Sequence, residues 1–238
     1  MNSSESKNSK TFSIVIPFFN EELNVEKVIR SIQSLLIKEN ISFEIIAVNN
    51  GSSDKTGQII EDLCKQESNI RSLKIPVNQG YGYGISEGLK ETSGSYIGYI
   101  DGDGQIDAEA LIGCYKELKI SPEIELAKGI PRKIGGPSWR RYISKFYNLI
   151  ISSLFRIEAY GVNCKPKIFT RTLYRKLDLE SKDWFIDAEI MIKCTRLNVR
   201  YIEYPIKILD RTRGNSSVSF KTIIEFLLNF ARYFLSKR

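Results

Sequence analysis

The segment Asp101-Gly102-Asp103-Gly104-Gln105 places two carboxylates one residue apart, with glycines between and after them. Both carboxylates can lean toward one hard cation if the backbone turns sharply, and glycine permits such a turn without a Cβ penalty. Gln105 adds a third side-chain oxygen. An all-oxygen set suits Mg2+ or Mn2+, ions that bridge the oxygens of a diphosphate. Asp101, Asp103 and Gln105 are therefore the candidate metal ligands. The competing reading is a solvated Asp/Gly turn that closes a strand. Absent residue types narrow the chemistry. The 238 residues include no histidine, which removes imidazole as base, nucleophile activator and metal ligand. The four cysteines, Cys64, Cys114, Cys164 and Cys194, lie far apart with no C-x-x-C. Zinc and dithiol chemistry are not expected from that spacing, and a reducing compartment is.

Two more polar stretches, PFFNEE at 17–22 and NNGSSD at 49–54, need positioning with DGDGQ. Each follows an apolar run that reads as a buried strand: Thr11–Pro17, Phe43–Val48 and Ser95–Ile100, with Ile70–Ile75 as a further strand. Helices are expected between them. Asn20 can cap the first, which carries Val25, Val28, Ile29, Ile32, Leu35 and Leu36 at helical spacing. Others run over Thr56–Leu63, from the glycines at 80–84 to about Glu91, and from an Asp107 cap through Leu118. Alternating strands and helices imply an α/β fold with a mostly parallel sheet. Ligands of such sheets bind at the carboxyl ends of the strands, so the three loops converge on one rim. Gly82-x-Gly84 resembles a dinucleotide fingerprint, but the next glycine is Gly88, at the wrong spacing. Its glycines instead suit close backbone approach to a ligand.

Farther on, Glu123–Lys128 and Val199–Ile208 read as strands, and Asp187–Leu197 as a helix. Two amphipathic helices are expected at 138–155 and 219–236. The first carries Arg140, Arg141 and Lys145 off its apolar stripe, and the second is followed by Lys237-Arg238. Aromatic and basic residues beside an apolar face suit an anionic membrane surface; the same faces could pack on the core. No apolar run reaches the ~18–20 residues needed to span a bilayer, and MNSSESKNSK lacks the apolar region of a signal peptide. Residues 1–10 read as a disordered polar tail and 11–238 as one domain. The net charge of +7 favours polyanionic partners.

IPFFNEE (16–22), VNNGSSDKT (48–56), VNQGYGYGISEGL (77–89) and DGDGQID (101–107), in this order, resemble the family 2 glycosyltransferases, particularly the dolichyl-phosphate mannose synthase-like branch. KGIPRK (128–133), WFIDAEI (184–190) and RTRGNSS (211–217) resemble that branch's later motifs, so the similarity covers nearly all of 11–220. The resemblance implies a GT-A fold, a Rossmann-like, mostly parallel sheet flanked by helices. It implies that Pro17, Phe19 and Glu21 line the nucleotide pocket and that Val48 and Asn50 border base and ribose. Asp101, with Gly102, would touch the sugar nucleotide, Asp103 and Gln105 would hold Mg2+ or Mn2+, and Arg132 and Arg211 would embrace phosphates. The chain departs from the pattern at Phe19, where tyrosine is usual, and at Asn49 and Asn50, where aspartates are. An amide both donates and accepts where a carboxylate only accepts, so guanine versus uracil stays open. Ser217 stands where a lysine is usual, with Lys221 nearby.

The implied reaction is inverting transfer of a sugar from a GDP- or UDP-sugar to a polyprenyl (dolichyl or undecaprenyl) phosphate, at the cytoplasmic face of a membrane. Asp101, Asp103, Asp187 and Arg211 are the candidate catalytic residues. A lipid phosphate is already an anion and needs no protein base. A saccharide hydroxyl, the alternative acceptor, needs a carboxylate to take its proton, and Asp187 is the candidate. Nucleic acid is not expected as a partner. A non-catalytic nucleotide- or nucleic-acid-binding module is the alternative of another class.

Overall fold

In the computed structural model of the chain, the described residues are 11–132 and 138–209, with side chains from 147 onward in the second stretch. The polar tail 1–10, Arg211, the RTRGNSS motif and the stretch 219–236 lie outside them. In chain order the elements are β1 (Phe12–Phe18), α1 (Val25–Lys38), β2 (Phe43–Asn50), α2 (Thr56–Gln66), β3 (Ile70–Ile75), α3 (Tyr81–Lys90) and β4 (Tyr96–Tyr99). They continue as α4 (Ala108–Ile120), β5 (Leu126–Pro131), α5 (Ser138–Phe155), β6 (Lys167–Thr170), α6 (Arg171–Leu177), α7 (Ile186–Arg196) and β7 (Tyr201–Ile206).

The strands form one sheet in the order β3-β2-β1-β4-β6-β5-β7. All neighbours pair parallel except β6, which runs antiparallel to both β4 and β5. This is the GT-A arrangement that the motifs imply. Every residue of β1 and β2 is buried, as expected of inner strands covered on both faces. Alternation divides their side chains between two layers. Phe12, Ile14, Ile16 and Phe18 meet α1 and α4 on one face. Val15, Ile46 and Val48 meet α3 and α7 on the other. Helix α1 docks through Val25, Val28, Ile29, Ile32 and Leu36, the stripe that its spacing predicts.

Several local expectations are corrected. Asn20 does not cap α1: the cap position is Asn24, and Asn20 has φ 53°. Its side chain instead accepts from the Ser53 N–H at 2.8 Å, so it serves the loop and not the helix. Asp107 does cap α4, accepting from the Glu109 N–H at 3.2 Å. Residues 121–124 form a turn, and β5 starts only at Leu126. Strand β6 and helix α6 are not anticipated from the sequence. The reversal of β6 matters for function. Its first residue, Lys167, pairs with Tyr99, the last residue of β4. Its N-terminal end therefore lies at the rim where the parallel strands finish.

Candidate functional site

Loops after β1 and β2 are laced together by hydrogen bonds. The Asn20, Glu21 and Glu22 N–H groups donate to Ser52 Oγ (3.1 Å), Thr56 Oγ1 (2.9 Å) and Asp54 Oδ2 (3.1 Å). In return, Lys55 N–H donates to Glu22 Oε2 at 3.0 Å. The loop after β4 presses against the first of these. A Cβ at Gly102 would lie 2.5 Å from the Phe18 ring and 2.7 Å from the Pro17 carbonyl oxygen. Only a residue without a side chain allows this approach. The same loop is anchored on its far side, where Leu209 N–H donates to the Gln105 carbonyl at 2.8 Å and Ile106 bridges to Ile208. All three loops thus meet at one rim.

Pro17 and Gly102 are buried in this junction, and Phe19 is exposed. The Glu21 carboxylate accepts from Asn24 Nδ2 at 2.5 Å. Val48 points into the core, within reach of Gly88, which leaves its backbone as the part that can face a ligand. Asn50 is buried at the end of β2, where Nδ2 donates to the Gly80 carbonyl at 3.1 Å and Oδ1 has no hydrogen-bond partner. Asp103 Oδ1 accepts from the Gln105 N–H at 3.0 Å. Arg132 is exposed just after β5, its N–H bonded to the Ile206 carbonyl at 3.0 Å.

Asp101 belongs to a charge cluster that the motifs do not announce. Its Oδ1 accepts from the Tyr81 hydroxyl at 2.5 Å, and its Oδ2 lies 3.6 Å from Lys165 Nζ. Lys165 also lies 3.0 Å from Asp187 Oδ2. The other Asp187 oxygen pairs with Lys167 and accepts from the Tyr99 hydroxyl at 2.6 Å. The Tyr81 ring stacks on Trp184 at 4.1 Å between centroids, with 9° between planes.

Burial of this cluster acts against every charge, so the partners decide the protonation states. Desolvation raises the Asp187 carboxyl, but Lys165, Lys167 and the hydrogen bonds from Lys167 and Tyr99 carry it below its usual value. For Lys165, burial works downward and is outweighed by Asp101 and Asp187, so its ammonium is held above the ordinary lysine range. Lys167 goes the other way, to about 8, because burial and the neighbouring Lys165 outweigh Asp187. Burial and the adjacent carboxylates push both Tyr81 and Tyr99 well up, so both phenols stay protonated donors.

Asp187 is thus only 1% exposed, and the structure brings it to the rim cluster through lysines that the sequence reading missed. A lysine pair at the start of a four-residue strand, KPKIFT, carries little signal, because lysines normally mark solvated segments.

Comparison with known proteins identifies the family. The profile described as "Glycosyl transferase family 2" matches residues 13–180. Glycosyltransferase AglD of Haloferax volcanii is 26% identical over 204 residues, covering 82% of this chain and 32% of that protein. Dolichyl-phosphate beta-glucosyltransferase ALG5A of Trichomonas vaginalis is 28% identical over 209 residues, covering 82% and 64%. The chain thus spans about a third of the first relative and just under two thirds of the second. Poly-beta-1,6-N-acetyl-D-glucosamine synthase of Staphylococcus epidermidis is 32% identical over 129 residues, covering 54% and 30%. Among solved structures, glucosyl-3-phosphoglycerate synthase of Mycobacterium tuberculosis, in complex with Mn2+, UDP and phosphoglyceric acid, superposes with a TM-score of 0.70 at 21% identity. It covers 94% of this chain and 75% of that one, a likeness of fold. With the profile spanning well over half of its length, this chain belongs to glycosyl transferase family 2.

Proposed function

We propose that the chain transfers a sugar from a nucleoside diphosphate sugar to a polyprenyl phosphate. The observation that carries the acceptor class is the state of Asp187. It is buried, it shares Lys165 and Lys167, and it is held below the usual carboxylate range. A general base must reach the proton it takes, and both Asp187 oxygens are already engaged by Lys165, Lys167 and Tyr99. An acceptor that arrives as an anion needs no such base. The dolichyl-phosphate activity in the name of the Trichomonas vaginalis relative supports the same reading. The Staphylococcus epidermidis synthase keeps a saccharide hydroxyl as the second reading.

The donor would enter at the rim, with Pro17, Phe19, Glu21, Val48 and Asn50 around the nucleotide, Asp101 and Gly102 toward the sugar, and Arg132 and Arg211 toward phosphates. GDP- and UDP-sugars are both admitted by this reading. Among the described residues, no group of three or more His, Cys, Asp or Glu side chains gathers as a metal site. Both Asp101 oxygens already face Tyr81 and Lys165. Mg2+ is characteristically held by one or two carboxylates, with substrate phosphates and water completing its shell. Asp103 and Gln105 offer oxygens only, which fits Mg2+ or Mn2+ together with the donor's diphosphate. When bound, the ion supplies charge stabilisation to the leaving diphosphate. Arg132 and Arg211 would add fixed positive charge there.

We place this reaction at the cytoplasmic face of a membrane. No described helix is long and apolar enough to cross one. Helix α5 buries Ile151 but leaves Leu149 and Leu154 exposed, at 67% and 48%, which supports contact with a lipid surface. The acceptor is tested by incubating the protein with radiolabelled UDP- and GDP-sugars, Mn2+ and undecaprenyl phosphate. Label moving into a chloroform-soluble product is expected; label appearing only in a water-soluble saccharide would favour the second reading.

A further inference from the structure

We propose that Lys165 is a positioning residue, joining Asp101 to Asp187 and thereby fixing the carboxylate against which the donor sugar is held. The inference rests on the reading above that Asp101 meets the donor.

Charge and geometry point to it. The cluster holds two carboxylates, Asp101 and Asp187, and two ammonium groups, Lys165 and Lys167. Asp187 has Lys167 and the Tyr99 hydroxyl on one oxygen and Lys165 on the other. The described residues give Asp101 one cation, and that is Lys165. Lys165 is 8% exposed, and burying an ammonium costs several kcal/mol unless partners offset it. Its Nζ lies 4.9 Å from the centre of the Tyr81 ring and 5.7 Å from that of Trp184, within cation–π range. Tyr81 is itself the hydrogen-bond donor to Asp101. Asp101 is therefore held on one oxygen by α3 and on the other by the segment before β6, and those two holders touch each other. Lys165 ties the loop after β4 to the start of α7, which joins the donor half of the rim to the half carrying Asp187.

Misplacing a reacting group by about 1 Å can cost 10²-fold in rate. The test compares Lys165→Met and Lys165→Arg with wild type for kcat, donor KM, calorimetric donor affinity and thermal unfolding. For Lys165→Met we expect kcat per folded molecule to fall about ten- to a hundred-fold, with donor affinity changed less than about three-fold. Lys165→Arg should recover most of the rate. Unchanged kcat in folded Lys165→Met, or equal losses in the Met and Arg variants, would each overturn the proposal. Slow donor hydrolysis without lipid should give the same variant-to-wild-type ratios. Failure of lipid transfer alone therefore counts against the acceptor, and failure of the ratios counts against Lys165.

Discussion

Replacing Lys167 by methionine should change how stability depends on pH. Lys167 is fully buried, and its ammonium titrates at about 8 in place of the ordinary 10.5. Between these values the unfolded chain carries a proton on this lysine and the folded chain does not. Unfolding stability therefore rises with pH across the window, at about 1.4 kcal/mol per pH unit for one such group. The charged form costs the fold about 3 kcal/mol below pH 8, and that cost disappears toward pH 10.5. Lys167→Met has no group titrating there and keeps a side chain of similar length. Urea unfolding of both proteins at about pH 7 and about pH 9.5 isolates the effect, because other titrations largely cancel in the comparison. Wild type should gain about 2 kcal/mol on the variant between the two conditions. Equal pH dependence in the two proteins would refute the depressed ammonium.

Two further outcomes follow from packing and charge. Gly102→Ala inserts a methyl between the Phe18 ring and the Pro17 carbonyl; it should cost about 1–3 kcal/mol by thermal unfolding and weaken donor binding, since two loops must part. Glu44 is almost fully buried. Burial raises its carboxyl, but Ser13, Ser93 and Arg71 together bring it below the usual value. That stability is present above the unfolded value and is lost as pH falls through the folded one. Glu44→Gln should lose about 1–3 kcal/mol near pH 7 and show a flatter acid limb in urea titrations.

The parallel half of the fold is legible because its strands are continuous apolar runs, such as IVIP and FEIIAV, each ended by polar or glycine-rich residues. Their loops had to share a rim once the sheet was parallel, and the laced Asn20–Glu22 and Ser52–Thr56 segments do. The Asp/Gly motif marked its own turn through Gly102. Less was readable after residue 120. Strand β6 is four residues long and begins with a buried lysine, so hydropathy reads it as loop. The motif WFIDAEI singles out Asp187 as the candidate base, but its lysine partners come from a segment about 20 residues away. Only the antiparallel return of β6 brings them together. Asn20 misled because an asparagine before an apolar stripe has the form of a cap, while its left-handed backbone turns its side chain to the neighbouring loop.

The central claim is that three strand-end loops form a donor site that uses Asp103. The most direct measurement is titration calorimetry of UDP- and GDP-sugars in the presence and absence of Mn2+, on wild type and Asp103→Ala. The account predicts saturable binding of one donor class that tightens with Mn2+, with that gain lost in a folded Asp103→Ala. No heat from any nucleotide sugar, or an equal Mn2+ effect in the variant, would contradict it.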